Sequence, residues 1–252
     1  MLDLRKHIAE RRGLVAAWCS VPAPLLAEAM ACAGFDAITV DLQHGLQDFE
    51  DAVRSLQAID GRGVPVLCRV HWNEPGILMK VVDAGFSGVI CPMVNNREEA
   101  QRLAGACHYP PRGFRSFGPI RAAITAGPDY FNRANDSIVV LPMIETADGV
   151  RNLDEILAVD GIGGVYIGPN DLALSQGLPP QLVPTEPVKK LIFDIMRRVK
   201  SAGKIAGIAC GSPQMVAEML AEGFDLATLL SDIRFFQAGM STLLEETRRA
   251  RD

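Results

Sequence analysis

Polar residues standing at the ends of short apolar runs are the ones best placed to do chemistry in this chain. Asp41-Leu42-Gln43-His44 follows one such run, Arg69 and Glu145 end two others, Gly168-Pro169-Asn170-Asp171 follows a fourth, and Asp232 stands near the end of the last. Glu145 and Asp171 suit a hard, octahedral divalent ion such as Mg²⁺ or Mn²⁺, and no thiolate or histidine cluster competes with them. The same two residues also have a plain structural reading, with Glu145 capping a helix that begins near Thr146 and Asp171 starting the Asp-Leu-Ala-Leu turn. Arg69 ends Val66-Leu67-Cys68-Arg69-Val70, where a permanent cation is costly unless it meets an anion. A substrate carboxylate or enolate would serve, and so would an internal partner such as Asp41. His44 is one of four histidines and has an acid three residues before it. A neutral imidazole in a carboxylate-lined mouth suits a general base near neutral pH, although lone histidines are commonly structural. His7, His71 and His108 read as surface or loop residues.

These residues need elements to position them, and the hydropathy pattern supplies candidates. Eight short apolar, partly β-branched runs recur at 14–19, 37–42, 66–70, 88–94, 138–144, 164–167, 204–209 and 226–230. Near-continuous hydrophobicity without polar alternation is the mark of strands buried on both faces of a parallel sheet. Between them, apolar residues three and four apart among charges predict helices at 23–33, 49–59, 74–84, 97–106, 149–158, 186–202, 212–222 and 233–249. Ala33-Gly34-Phe35-Asp36, Ala84-Gly85-Phe86-Ser87 and Glu222-Gly223-Phe224-Asp225 form a weak internal repeat, in which a left-handed glycine closes a helix before the next strand. Eight strand-then-helix units without a composition break predict a single (β/α)₈ TIM barrel spanning residues 1–252. An open doubly wound sheet is the runner-up, disfavoured because no GxGxxG follows the first strand.

In such a barrel the carboxyl ends of the strands line one mouth, which is where the polar residues above fall. None of the six lysines (Lys6, Lys80, Lys189, Lys190, Lys200, Lys204) lies at such an end, so an imine-forming mechanism has no lysine to use. Gly211 before a helix start is only a weak phosphate signal. Pro110-Pro111-Arg112-Gly113-Phe114-Arg115 opens a stretch to about Asn135 that reads as irregular, with paired arginines able to clamp an anion or tie the loop to a neighbouring subunit.

Across 252 residues, 25 Lys plus Arg face 30 Asp plus Glu, and the resulting charge of −5 is spread rather than blocked. That excludes the footprint of a nucleic-acid or anionic-membrane binder. No apolar run approaches the roughly 20 residues of a membrane span. The opening MLDLRKHIAERRG lacks the apolar centre of a secretory signal, so a soluble cytoplasmic protein is expected. Six cysteines, never in CxxC spacing, read as reduced core residues.

Taken in order, these residues resemble the HpcH/HpaI aldolase family of metal-dependent pyruvate aldolases, which includes 4-hydroxy-2-oxoheptanedioate aldolase. The resemblance runs from about Val15 to Leu230. Its most specific pieces are Val40-Asp41-Leu42-Gln43-His44-Gly45, Cys68-Arg69-Val70, Val82-Asp83-Ala84-Gly85, Cys91-Pro92-Met93-Val94, Tyr109-Pro110-Pro111-Arg112-Gly113, Ile144-Glu145-Thr146 and Ile167-Gly168-Pro169-Asn170-Asp171-Leu172. The resemblance implies a reversible cleavage of 4-hydroxy-2-oxo acids to pyruvate and an aldehyde, with Mg²⁺, Mn²⁺ or Co²⁺ as cofactor. It implies that Glu145 and Asp171 bind the metal, that His44 is the base, and that Asp83 pairs with that histidine and raises its basicity. Arg69 would stabilise the enolate and developing oxyanion, backbone around Gly168, Pro169, Asn170 and Asp171 would hold the pyruvate carboxylate, and Trp18 would supply an aromatic wall. A homo-oligomer is implied too, commonly a hexamer of dimers that exchange the last helix, here 233–249. Two departures from relatives stand out: Met143 where Gln is common two residues before the metal-binding Glu, and Gln43 where Glu is frequent. Loss of an amide at Met143 removes a hydrogen-bond partner near pyruvate. An acyl-CoA lyase of the citrate lyase β or malyl-CoA type, and a non-catalytic keto-acid-binding barrel, are the competing readings.

Overall fold

The computed structural model describes residues 2–11 and 13–251. In chain order the elements are α1 (Leu4–Glu10), β1 (Leu14–Cys19), α2 (Pro24–Cys32), β2 (Ala37–Asp41), α3 (Phe49–Ile59), β3 (Val66–Arg69), α4 (Pro75–Ala84), β4 (Gly88–Cys91) and α5 (Arg97–Cys107). They continue with α6 (Ile120–Ala126), α7 (Tyr130–Ser137), β5 (Val139–Ile144), α8 (Ala147–Arg151), α9 (Leu153–Leu157), β6 (Gly164–Ile167) and α10 (Pro169–Ser175). The last are α11 (Glu186–Ser201), β7 (Ile205–Cys210), α12 (Pro213–Glu222), β8 (Leu226–Ser231) and α13 (Asp232–Arg249). All eight strands are parallel, pair in chain order and close into a barrel through β1 and β8. This is the (β/α)₈ TIM barrel. None of its described helices is long and apolar enough to cross a membrane.

The strands are largely apolar, with polar residues mostly at their carboxyl ends, because both faces of the sheet are buried. In β1, Leu14, Ala16 and Trp18 point into the lumen, while Ala17 and Cys19 face the helices. Likewise Val139, Leu141 and Met143 of β5 fill the lumen, and Val140 and Ile144 pack outward. Leu4 of α1 is fully buried in the lumen cluster, so this short helix plugs the end opposite the mouth. Five of the six cysteines are buried and all six are free; Cys32 is exposed.

The repeated Gly-Phe junctions have a common physical basis. Gly34, Gly85 and Gly223 adopt φ of +96°, +98° and +110°, the left-handed region in which a side chain is strained. At two junctions the Asp that follows clips neighbouring strand starts together: Asp36 accepts the Val15 N–H at 3.0 Å, and Asp225 accepts the Ala206 N–H at 2.9 Å.

Three stretches depart from the sequence reading. The segment 110–135 is not irregular, since α6 and most of α7 lie within it. These helices bury only Ala122, and Tyr130 with Ala134, so they carry too narrow an apolar stripe to be seen. The single helix read at 149–158 is two, α8 and α9, broken at Asn152, whose amide donates to the Asn95 carbonyl at 2.8 Å. Neither α1 nor α10 was anticipated, each being only seven residues long.

Candidate active site

A cavity of about 330 Å³ opens at the carboxyl ends of the strands. Its floor is the upper lumen layer, where the Trp18 and Tyr166 rings lie 5.5 Å apart and the Tyr166 hydroxyl donates to Thr228 Oγ1 at 2.6 Å. On one side β5 and β6 deliver the two acids. Glu145 follows β5 directly and is only 3% exposed, and its Oε1 accepts the Met93 N–H at 2.8 Å. Met93 holds φ +56°, an unfavourable conformation for a non-glycine residue, kept here just past the end of β4. Asp171 lies in the first turn of α10, which follows β6. Gly168 makes room for the Glu145 carboxyl, because a Cβ there would collide with Glu145 Oε2 and reach Met143 Cε at 3.0 Å. Burial pushes the Glu145 carboxyl up to about 7, the Met93 N–H opposes this, and the Asp171 charge adds to it.

That arrangement fits a divalent cation. A buried carboxylate with a second acid beside it gains most from a positive charge, and both supply hard oxygen donors. Among the described residues no group of three or more His, Cys, Asp or Glu side chains gathers in this way. The protein would therefore contribute two ligands and leave the remaining positions to substrate and water.

Facing the acids is a second unit built by β2 and β3. Arg69 Nε donates to Asp41 Oδ1 at 2.8 Å and Nη2 to Oδ2 at 2.6 Å, and its guanidinium sits 4.7 Å from the Trp18 ring centroid. The internal partner considered for Arg69 is thus present, while the residue also lines the cavity. Burial alone would raise the Asp41 carboxyl, but the Arg69 hydrogen bonds and charge hold it below its ordinary value. Asp41 Oδ1 further accepts the N–H groups of Gln43 at 3.0 Å and His44 at 3.3 Å, fixing the loop that carries His44 into the cavity. Gly45 must follow, since a Cβ there would strike the Asp41 carbonyl.

The structure brings Trp18, His44, Arg69, Glu145, Gly168, Pro169, Asn170 and Asp171 to the same mouth, but not Asp83. Asp83 sits near the end of α4, which runs back toward the amino ends of the strands. Its Oδ1 accepts from Arg115 Nη2 at 2.5 Å, and Arg115 also donates to the Tyr130 hydroxyl. Within the chain it therefore does not pair with His44; the acid touching the His44 backbone is Asp41. Arg112 and Arg115 do not clamp an anion at the mouth either. Arg115 is buried on Asp83, and Arg112 is tied to Asp136 at 3.0 Å. His108 is buried rather than exposed, its Nδ1 2.7 Å from the Ala104 carbonyl, and desolvation pulls it below its ordinary value. Asp232 accepts the Ser20 and Val21 N–H groups, each at 2.9 Å, and so pins α13 to the end of β1. Tyr166, Thr228, Gln181 and Arg234 line the cavity without having been singled out. Tyr166 and Thr228 carry a signal in retrospect, as hydroxyls in otherwise apolar strands.

Comparison with known proteins places this geometry. Residues 15–236 match the family described as HpcH/HpaI aldolase/citrate lyase. The chain belongs to the HpcH/HpaI aldolase family. It is 44% identical over 241 residues to a hydroxypyruvate/pyruvate aldolase of Rhizorhabdus wittichii, covering 95% of this chain and 96% of that one. It is 35% identical over 230 residues to a 2-dehydro-3,6-dideoxy-6-sulfogluconate aldolase of Pseudomonas putida, covering 90% and 89%. Among solved structures, an HpcH/HpaI aldolase/citrate lyase family protein from Burkholderia cenocepacia superposes with a TM-score of 0.90 at 26% identity, over 97% of this chain and 98% of that one. As a member of the HpcH/HpaI aldolase family, the chain is a carbon–carbon lyase of the aldolase type.

Proposed function

We propose that the chain cleaves 4-hydroxy-2-oxo acids reversibly to pyruvate and an aldehyde, using a divalent cation held by Glu145 and Asp171. The observation that carries this reading is the buried Glu145 carboxyl packed on Gly168, close enough to Asp171 to feel its charge, at the same mouth as the Asp41–Arg69 pair and His44. A cation bound there supplies Lewis acidity toward the 2-oxo group. In the cleavage direction His44 accepts the proton of the C4 hydroxyl, and the C3–C4 electron pair moves toward C3 as the aldehyde forms. Arg69, oriented by Asp41, turns its remaining N–H groups to the enolate oxygen and offsets its charge. Return of the proton to C3 completes pyruvate. Backbone at 168–171 seats the substrate carboxylate, and Trp18 walls the site. Met143, packed at the metal end, offers no hydrogen bond there, so pyruvate binding relies on the opposite wall and the backbone.

Mg²⁺, Mn²⁺ and Co²⁺ all suit the oxygen donors. Pyruvate release from a panel of 4-hydroxy-2-oxo acids, followed with lactate dehydrogenase, is the test. EDTA-stripped protein is expected to be inactive and to recover with one of these ions; release without metal would overturn the mechanism. Pyruvate methyl protons should exchange for deuterium under the same metal requirement.

The working form is a homo-oligomer, as a hexamer in the family's commoner arrangement. Support comes from α13, whose Ile233, Phe236, Met240, Leu243 and Leu244 share helical spacing and are all exposed.

A further inference from the structure

Two cations named in the sequence have no part in the mouth: Arg112 of the Pro-Pro loop, and Lys204, which stands just before β7. The structure brings both to a second cavity, of about 340 Å³, at the amino ends of β6 and β7. Arg5 of α1 joins them there. Its guanidinium rests against Gly163, just before β6, where a Cβ would collide with Nη2 and reach Cζ at 3.4 Å. Lys204 Nζ donates to the neighbouring Ile162 carbonyl. Two turns with left-handed glycines, Gly161 at φ +87° and Gly203 at φ +67°, carry the chain into these strands and keep that part of the wall free of side chains.

The charges lining this cavity do not balance. Arg112 is engaged by both acids of the wall, Asp136 at 3.0 Å and Asp160 at 3.6 Å. Arg5 and Lys204 have no carboxylate partner among the described residues. Asp3, two residues from Arg5, spends its Oδ1 on the N–H groups of Arg5 and Lys6. Burial, and after it the Arg5 charge, hold the Lys204 ammonium below its ordinary value. Burial lowers Arg5 as well, with Asp3 opposing the fall and Arg112 adding to it. An anion between the two cations would relieve their repulsion and supply the missing partner. Apart from Ile162 and Ala202 the wall is glycine or polar, so a fitting occupant is hydrophilic.

We infer that this amino-end cavity binds a phosphate group, free or carried on a small hydroxylated molecule, between Arg5 and Lys204. Arg5 offers a planar fork and Lys204 a compact charge with three donors, which together suit a tetrahedral dianion. The cavity exceeds the size of one phosphate, and Asp160, 84% exposed at its side chain, can accept from hydroxyl groups of the carrier. The site lies at the opposite end of the barrel from Glu145 and Asp171, so its occupancy does not require the metal.

The test is calorimetric titration of the metal-free protein in EDTA, at low salt, with inorganic phosphate and with glycerol 3-phosphate. Saturable uptake of one ligand per chain is expected, and the tighter of the two tells free phosphate from a carried one. Arg5→Gln and Lys204→Gln should each weaken binding about tenfold or more, with circular dichroism and metal-dependent pyruvate release unchanged. Asp160→Asn should bind about two- to fivefold more tightly, a gain that a damaged fold cannot produce. Raising salt from about 50 to about 500 mM should weaken the wild type more than Lys204→Gln. Absence of saturable binding of either ligand would overturn the inference. Binding unaltered in Arg5→Gln and Lys204→Gln would overturn it too, since the phosphate would then sit elsewhere.

Discussion

At the scale of single residues, the mouth works by giving two buried carboxylates opposite environments. Asp41 is bonded to Arg69, whereas Glu145 has a backbone N–H and a neighbouring acid and feels the Arg69 charge only as the smallest of its influences. Metal-free protein should therefore show an unusual pH dependence. Glu145 titrates near 4.5 when unfolded and at about 7 when folded, so in that window the folded state binds more protons. Its contribution makes stability fall as pH rises from about 4.5 to about 7, by up to about 3 kcal/mol. Denaturant unfolding in EDTA at several pH values should reveal this slope, and Glu145→Gln should lack it; a slope unchanged in that variant would show that the charge is not confined there. Replacing His44 by Ala is expected to lower kcat about 10²- to 10⁴-fold. Arg69→Gln should cost about 10²- to 10³-fold and also loosen Asp41. Sequence alone pointed to these residues because each is a polar group interrupting or ending an apolar run. Asp83 stands away from the mouth of its own chain, bonded to Arg115, because its place in a motif says nothing about the direction in which its helix returns. Arg234 was invisible because one basic residue on an amphipathic helix resembles any other until the helix's rotation is known.

Elements position these residues through junctions rather than through strand composition. The Gly-Phe repeats were readable because glycine at a helix end has one physical purpose, and Gly85 shows it at φ +98°. A Cβ there would find Arg121 Nη1 at 3.4 Å and Thr125 Oγ1 at 3.5 Å, so backbone conformation rather than collision sets the cost. Gly85→Ala should destabilise by about 1–2 kcal/mol, measured as a Tm lower by a few degrees with kcat little altered. All eight strands were legible from their hydrophobic runs, β1 and β6 with their exact bounds; β2, β3 and β4 stop one to three residues short of the reading because apolar side chains continue into the loops, and the others differ by one residue at one or both ends. The short helices α1, α6, α7 and α10 were not, since a helix of seven or eight residues has room for too few periodic positions. Polar residues such as Asn132, Asn135 and Asp136 further disguise α7 as loop.

On the scale of the whole molecule, α13 is the feature the single chain leaves unfinished, with Leu243 66% exposed and Phe236 58%. If α13 holds the proposed oligomer together, Leu243→Glu combined with Phe236→Glu should break it into smaller species in sedimentation velocity, because two charges would have to be buried between subunits. An unchanged sedimentation coefficient would show that α13 does not hold the subunits together. The barrel itself was predictable from eight repeated units, whereas its closure is a consequence of register. Leu14 lies opposite Leu226 and Val15 opposite Ala227, so the first strand waits for the last. During synthesis, then, nearly the whole chain must emerge before the sheet has no free edge. A polypeptide released before residue 226 would expose β1 and β7 as open pairing templates, and it would also lack Thr228, the partner of Tyr166 beneath the pocket. Premature termination of this gene product should thus yield a sticky, aggregating fragment rather than a quiet inactive one.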